Sequence, residues 1–574
     1  MIKQKDQFGG DYAIKLSDQL IWWSMPSFAA ICSLISASVI DEKIFIISSI
    51  AIIFIVITSA HSAPKNIGVN PVIAGLSVFA IILIAIIPLE IALLLGRAPM
   101  KLVGDINFTD YAKKTTYILF GSGVVVGLYY AMRYPEKLSH YFPKLVLIGQ
   151  VGLPTLFLTL YPARLLQPTG VLTKYETTVW LKVLVIGMIL WGVSDVISRY
   201  RKYSTTADCS KLLSPIAIFA LLVGLRVGHT VAPHINPDDY HFGESLLGWW
   251  SYLHGTIPYL EYMPAHGLIV DDLNRFISSV FYDGSAGSIA EAARLGFAIL
   301  AFVAFISIYY LSGSIGLAFV SIFFLGGTLA WFFLTPFLCL WFSQSLRSSP
   351  SKWLIAWMVS VPIVILGVPP QGLLLVAASG VMAVCFAWLQ LRSPEERSWT
   401  SIGVALTSLI VLGLVTPLGS MLFGAIRYVV ENGPINQVAY GVAWATSWNG
   451  GARAGFIFEA IRMSWVAIPI ACLAIIYVNR KDYGHQKSAL YPAIVVLFFT
   501  LLLIPYAMGR IDPGAVSRPG TAAMFGWAVL LPIIGWMVVN SKNRVLLVLL
   551  VACMGALFNS GNLSFSKLIF HHKV

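Results

Sequence analysis

Charge is scarce in this chain. Only 11% of its 574 residues are Asp, Glu, Lys or Arg, against roughly a quarter in soluble globular domains, which excludes an ordinary water-soluble fold. Cysteine is scarce too: Cys32, Cys209, Cys339, Cys385, Cys472 and Cys553 stand far apart, and no two have metal-ligand spacing. They read as packing residues, which excludes a cysteine metal site. Internal repeats, low-complexity tracts and flexible linkers are missing as well.

Long apolar runs are what the chain has instead. With 58% hydrophobic residues and a mean hydropathy of +0.80, runs of about 17 to 25 residues recur from Leu20 to Leu557, each enough to cross a hydrocarbon core about 30 Å thick as a helix. They are continuously apolar, without the alternation of a membrane barrel, so the expected fold class is an all-α polytopic membrane protein. Lys3, Lys5 and Lys15 precede a first run of full-span length that lacks a small-residue cleavage site, so this helix is read as retained. A net charge of +12 would suit nucleic acid in a soluble protein. Here the cations sit in short loops beside apolar runs, where topology and anionic headgroups account for them, and no nucleic-acid partner is expected.

With the Lys-bearing N-tail in the cytoplasm, spans are expected near 20–40, 44–60, 71–95, 116–132, 145–161, 179–197, 212–231 and 292–311. A hairpin within 314–343 follows, then 353–367, 371–390, 401–425, 456–478, 489–508, 521–539 and 544–558, for about 16 to 17 transmembrane helices. This path keeps the basic loops at Arg199 to Lys211, Arg347 to Lys352, Arg392 to Arg397, Arg480-Lys481 and Lys542 to Arg544 inside. Three polar segments, 232–291, 427–455 and 509–520, then share the extracytoplasmic face of the cytoplasmic (inner) membrane. The basic loop near residue 205 is the best boundary between an N-terminal helical module, 1–205, and the remainder, 206–574. Aromatic pairs such as Trp249-Trp250 and Tyr309-Tyr310 fall at expected span ends, where amphipathic rings favour the headgroup level.

The first polar segment concentrates chemistry. Eight of the 26 acidic residues, among them Asp238, Asp239, Glu244, Asp271 and Asp272, and four histidines (His234, His241, His254, His266) fall in it. Adjacent carboxylates at Asp238 and Asp239 repel, so both stay ionised only with a cation, a divalent metal or several donors close by, which makes them candidate bases or Mg²⁺ or Mn²⁺ ligands. Asn236-Pro237 disfavours helix just before them; His241 and Glu244, three apart, share one face of a helix capped by Asp239 and join the catalytic candidates. Gly255-Thr-Ile-Pro258 and Pro264-Ala-His-Gly267 read as tight turns, with Tyr259 and Tyr262 as interfacial anchors. Tyr259 and His266 are candidate substrate contacts, and His254, Asp271 and Asp272 stand behind them. In the third segment Arg510 and Arg518 flank Asp512-Pro-Gly514, and two guanidinium groups near a glycine turn suit a phosphate gripped bidentately, with Asp512 as a further substrate contact. Arg427 and Arg453 are lesser candidates for the same task. The plain alternatives are a solvated, helix-capping loop and arginines bound to lipid headgroups.

At these residues the chain resembles the GT-C class of integral-membrane glycosyltransferases, polytopic helical enzymes with an acidic motif in an extracytoplasmic loop just after a span. The matching positions are the span ending near Val231, Asp238-Asp239 with the loop behind it, and Arg510-Ile-Asp512; by shape the likeness covers 212–574. In that class the acidic loop follows the first span, whereas six expected spans precede its supporting helix here, which makes 1–205 an added or rearranged module. The resemblance implies a GT-C-like bundle in cell-envelope glycan biosynthesis, moving a sugar from a polyprenyl-phosphate donor to a glycan, lipid or protein acceptor. On that implication Asp238 or Asp239 takes the acceptor proton in an inverting displacement, while Arg510, Arg518 and Mg²⁺ or Mn²⁺ on the carboxylates stabilise the leaving phosphate. Two other readings stay open. An O-antigen polymerase or ligase would work through arginine and histidine, and a lipid-linked-glycan transporter would place ionisable groups at mid-membrane.

Overall fold

The computed structural model describes residues 147–161, 176–202, 213–226, 246–251, 253–313, 315–325, 329–392, 396–440 and 487–508, with isolated positions around 101–107, 144, 468–473 and 522–530. Two-residue strands, Lys101–Leu102 and Ile106–Asn107, pair antiparallel. The other described elements are helical. In chain order they are α1 (Val179–Lys202), α2 (Pro215–Arg226), α3 (Leu273–Phe281), α4 (Ile289–Ser312), α5 (Ile315–Phe324), α6 (Leu329–Phe342), α7 (Pro350–Gly367), α8 (Pro369–Leu391), α9 (Glu396–Val415), α10 (Leu418–Tyr440) and α11 (Lys487–Met508). Among the described residues four helices, α1, α4, α7 and α8, are long and apolar enough to cross a membrane, and α9 with α10 form a fifth, broken candidate.

Local sequence sets several boundaries. α4 stops at Gly313, whose φ of 69° takes the left-handed position that closes a helix end without a Cβ clash. Pro350 and Pro369 open α7 and α8, where a missing N–H costs nothing. Because Pro369 also biases the residue before it away from helix, α7 ends at Gly367 and the chain reverses within Val368. Buried tryptophans then pin the helices to one another: Trp341 Nε1 donates to Ser360 Oγ (2.9 Å), Trp353 Nε1 to Trp341 O (2.8 Å) and Trp357 Nε1 to Ser379 Oγ (2.8 Å). Each satisfies an indole N–H that would otherwise be stranded away from water. One continuous hydrophobic core takes in residues of 147–160, of α1 and α2, and of every helix from α3 to α8, with α11.

Ties between distant elements show which helix ends lie together. Just before α1, the Glu176 N–H donates to Asp283 Oδ2 (3.0 Å), the Thr178 N–H to Phe281 O (3.0 Å) and Thr178 Oγ1 to Val280 O (2.8 Å), so the start of α1 lies beside the end of α3. Tyr259 Oη donates to Leu366 O (2.7 Å) and Gly267 is pressed against Gly367 and Pro369, which brings the α7–α8 turn to the same end. Gly424 of α10 lies on the Tyr259 carbonyl, so the break between α9 and α10 is there too. The opposite ends carry the cations: Arg199, Arg201 and Lys202 close α1, Lys352 stands in the first turn of α7, and Arg392 and Arg397 bracket the α8–α9 connection. The segment 246–288 and the basic helix ends therefore occupy opposite ends of the described bundle.

Residues 314–343 hold two helices, of 10 and 14 described residues, and not one long helix. Of the expected span at 212–231, the described part is helical from Pro215 to Arg226. Two expectations about spans change. The expected span at 145–161 contains a tight 3-10 helix, Leu153–Leu160, whose Pro154 and Leu156 fill notches over Gly192 and Gly224. A span at 401–425 is broken by an 87° bend between α9 and α10, and α10 runs on to Tyr440 into what the sequence suggests is a loop. The bend has a local cause. Pro417 disfavours helix at Thr416, whose Oγ1 turns back to Leu412 O (2.6 Å), and a Cβ on Gly419 would stand 2.5 Å from Gly413 O, so glycine alone permits the fold-back.

Candidate functional site

The described part of the first polar segment is laid against helix ends. Gly255 and Gly267, with φ of 68° and 101°, supply the two turns expected there. Between them Tyr259 has φ 64°, the only non-glycine positive φ among the described residues. A bulky residue in that region costs about 1–3 kcal/mol. Two hydrogen bonds hold it, from its N–H to Tyr262 O and from its hydroxyl to Leu366 O, both 2.7 Å, and at about 0.5–1.5 kcal/mol each they offset that cost. Packing then decides: Tyr259 is 3% exposed, in a small cluster with Ile365, Leu366 and Ala425. It is not the interfacial anchor that the sequence suggests, because its hydroxyl finds a carbonyl inside the protein. Burial pushes its phenol well above the ordinary tyrosine range, so it stays a neutral donor.

Past Gly267 the chain makes a π-helical turn, Leu268–Asp272, in which the Leu273 N–H reaches back to Leu268 O before α3 begins. Such wide turns recur at functional sites. This one carries two adjacent aspartates, Asp271 and Asp272, at 7% and 6% exposure. Asp271 Oδ2 accepts the His266 N–H (2.8 Å), and its Oδ1 lies 3.3 Å from His266 Nδ1. Asp272 Oδ2 accepts the Tyr262 hydroxyl (2.7 Å), which ties down the second expected anchor as well. Asp272 Oδ1 lies 3.7 Å from the Arg275 guanidinium, takes no hydrogen bond and sits over Gly248, where a Cβ would stand 2.5 Å from it. Arg275 in turn donates to Gly248 O.

Burial raises the Asp272 carboxyl above its ordinary value; the Tyr262 hydroxyl and Arg275 pull the other way, and Asp271 adds to the rise. Burial and the bond to Asp272 push the Tyr262 phenol up. The chemistry available differs between the two aspartates. Asp272 is enclosed by a tyrosine and an arginine. Asp271 faces a histidine whose side chain is 43% exposed, with Nδ1 against the carboxylate.

On the same loop lies a cavity. Tyr259 lines a hollow of about 770 Å³ in the elbow of α9 and α10. Leu260 and Met263 close the hollow from the loop, Ile410, Gly413 and Leu414 from α9, and Phe423 and Gly424 from α10, with Arg427, Tyr428, Glu431 and Asn432 at one end. A volume of this size suits a small organic ligand.

Of the residues singled out from sequence, Asp238, Asp239, His241, Glu244, Arg510, Asp512 and Arg518 lie outside the described residues, as do His234 and Arg453. The Mg²⁺ or Mn²⁺ expected on Asp238 and Asp239 falls there with them. Among the described residues no three His, Cys, Asp or Glu side chains converge to hold a metal, and Asp271 and Asp272 are taken up by donors and a cation. His254 stacks on Trp250 at 4.1 Å between ring centres, with Nδ1 2.8 Å from Trp250 O, and stands apart from the aspartates' partners. Arg427 Nε donates to Glu431 Oε1 at 2.7 Å, so its guanidinium already faces a carboxylate. Sequence reasoning missed Arg275 and Glu431, although both leave a signal, an arginine three residues past an Asp pair and a glutamate four past an arginine on one helix face. Compared with family models, curated proteins and solved structures, the chain matches none.

Proposed function

We propose that the protein is a membrane glycosyltransferase that moves a sugar from a polyprenyl-phosphate donor to a glycan, lipid or protein acceptor. The observation that carries the reading is the His266–Asp271 pair, on the same loop as Tyr259 and its amphiphile-sized cavity, at the end of the bundle opposite the basic helix ends. If the basic ends face the cytoplasm, as the positive-inside rule requires, this chemistry faces the extracytoplasmic side. A lipid-linked donor stays in the bilayer and presents its phosphate at that depth.

In this reading the acceptor hydroxyl gives its proton to Asp238 or Asp239 as its oxygen bonds to the anomeric carbon. The bond from that carbon to the phosphate oxygen breaks, and the electron pair leaves with the lipid phosphate in one inverting displacement. Arg510 and Arg518 meet the departing charge. His266, its tautomer and orientation set by Asp271, hydrogen-bonds the substrate. Mg²⁺ or Mn²⁺ on the Asp238–Asp239 pair would add Lewis-acid stabilisation of the phosphate.

One observation favours a second reading. Within the described loop the aspartates are buried and the imidazole is the accessible group, which suits a glycan polymerase or ligase working through histidine and arginine. Surface-glycan masses from a gene-deleted strain, complemented with wild type, Asp239→Asn or His266→Gln, separate the two. Loss of one monosaccharide with folded but inactive Asp239→Asn supports the transferase, and transfer that survives chelation removes the metal. Loss of chain length with Asp239→Asn active and His266→Gln inactive supports the polymerase. Glycans unchanged by deletion sink both.

A further inference from the structure

α9 and α10 meet at 87°. From Trp399 to Val415 α9 has no ionisable residue, whereas α10 carries Arg427 and Glu431 in its middle. A charge at the bilayer centre costs about 2.5–3.5 kcal/mol on insertion scales, so α9 is the member that crosses and α10 the member that stays at the interface. Spanning helices tilt by about 20° on average, which leaves a helix perpendicular to α9 within about that angle of the membrane plane. The elbow cavity thus straddles the boundary between acyl chains and headgroups. Its α9 wall is apolar, and its α10 end offers Arg427, Tyr428, Glu431 and Asn432.

Charge at that end is balanced. Arg427 and Glu431 are paired at 2.7 Å while 65% and 56% exposed, so both remain open to a ligand. A phosphate brought to the guanidinium meets the Glu431 carboxylate, and a cationic head meets the guanidinium. An uncharged, hydroxyl-rich head meets neither repulsion: the pair presents donors beside acceptors, and the Asn432 amide, oriented by its own bond to Tyr428 O (3.1 Å), adds more. We propose that this cavity binds the glycosyl head of an uncharged glycolipid, with the lipid chain along Ile410, Gly413 and Leu414. Under the transferase reading, on which that role rests, the glycolipid is the acceptor; the binding itself is independent of turnover.

The test uses the full chain in phosphatidylcholine nanodiscs and an octyl β-glucoside bearing a diazirine at its chain end, with labelled peptides identified by mass. Labelling is expected around Ile410 to Leu414, displaced by unlabelled octyl glucoside and not by octyl phosphate at equal concentration. Glu431→Gln releases the guanidinium, so glucoside binding should weaken about tenfold and octyl phosphate should begin to compete. Ile410→Trp fills the chain wall and should abolish the label without touching the head. Equal displacement by both heads in wild type, or labelling that survives Ile410→Trp in a protein eluting as wild type, overturns the proposal. Because no turnover is measured, glycans unchanged by gene deletion bear on the transferase reading alone.

Discussion

Asp272 is the residue whose environment most constrains the site. The folded protein holds its proton more tightly than the unfolded chain does, because burial raises its pKa. From about pH 4, where a free aspartate titrates, up to the raised value, the native state binds more protons than the unfolded one, so stability falls as pH rises through that window. Asn cannot ionise and has nearly the same shape. Asp272→Asn should therefore remove this part of the pH dependence: its thermal midpoint in detergent, measured from pH 4 to 8, should gain on wild type as pH increases. A gain in the opposite direction would mean that Arg275 and Tyr262 outweigh burial and hold the carboxyl down. The neighbouring Asp271 differs in kind, since its partner is a half-exposed histidine.

At the scale of elements the elbow of α9 and α10 is the feature on which the cavity depends. Gly419→Ala would put a methyl 2.5 Å from the Gly413 carbonyl, and backbone cannot yield as a flexible side chain can. The expected result is a wider angle, read as a longer spin-label distance between positions 406 and 430, with α7 and α8 unchanged. An unaltered distance would show that Pro417 alone sets the bend. This element also marks the limit of what the sequence reveals. Apolar residues continue across Thr416-Pro417 without a gap, so hydropathy joins 401–425 into one span, and only the Gly413, Pro417, Gly419 spacing hints otherwise. The α7 and α8 spans were legible because length, hydropathy and the prolines at their starts agree. In the site, the two glycine turns were legible from Gly255 and Gly267. The roles of Tyr259, covered by Gly424 of α10, and of Tyr262, bound to an aspartate ten residues downstream, were not.

For the whole molecule, the separation of the loop from the basic helix ends makes a direct prediction. A cysteine placed at Ser285 should react with a membrane-impermeant maleimide added outside intact cells, and one at Ser345, beside Arg347, only after permeabilisation, in a background where Cys385 is replaced. Reversed reactivity would put the His266–Asp271 pair on the cytoplasmic side and end the proposal of extracytoplasmic transfer. Equal reactivity would break the bundle's polarity.

The stitch between 176–178 and 280–283 joins residues 107 and 102 positions apart, and the hydrophobic interior passes beneath it from α1 and α2 into α4 without interruption. Assembly should then not depend on peptide continuity near residue 205. Synthesised as two polypeptides, 1–205 and 206–574, the halves should recognise each other in the bilayer and purify together on a tag borne by one of them. Such a bipartite protein would allow isotope or fluorophore to be confined to either half.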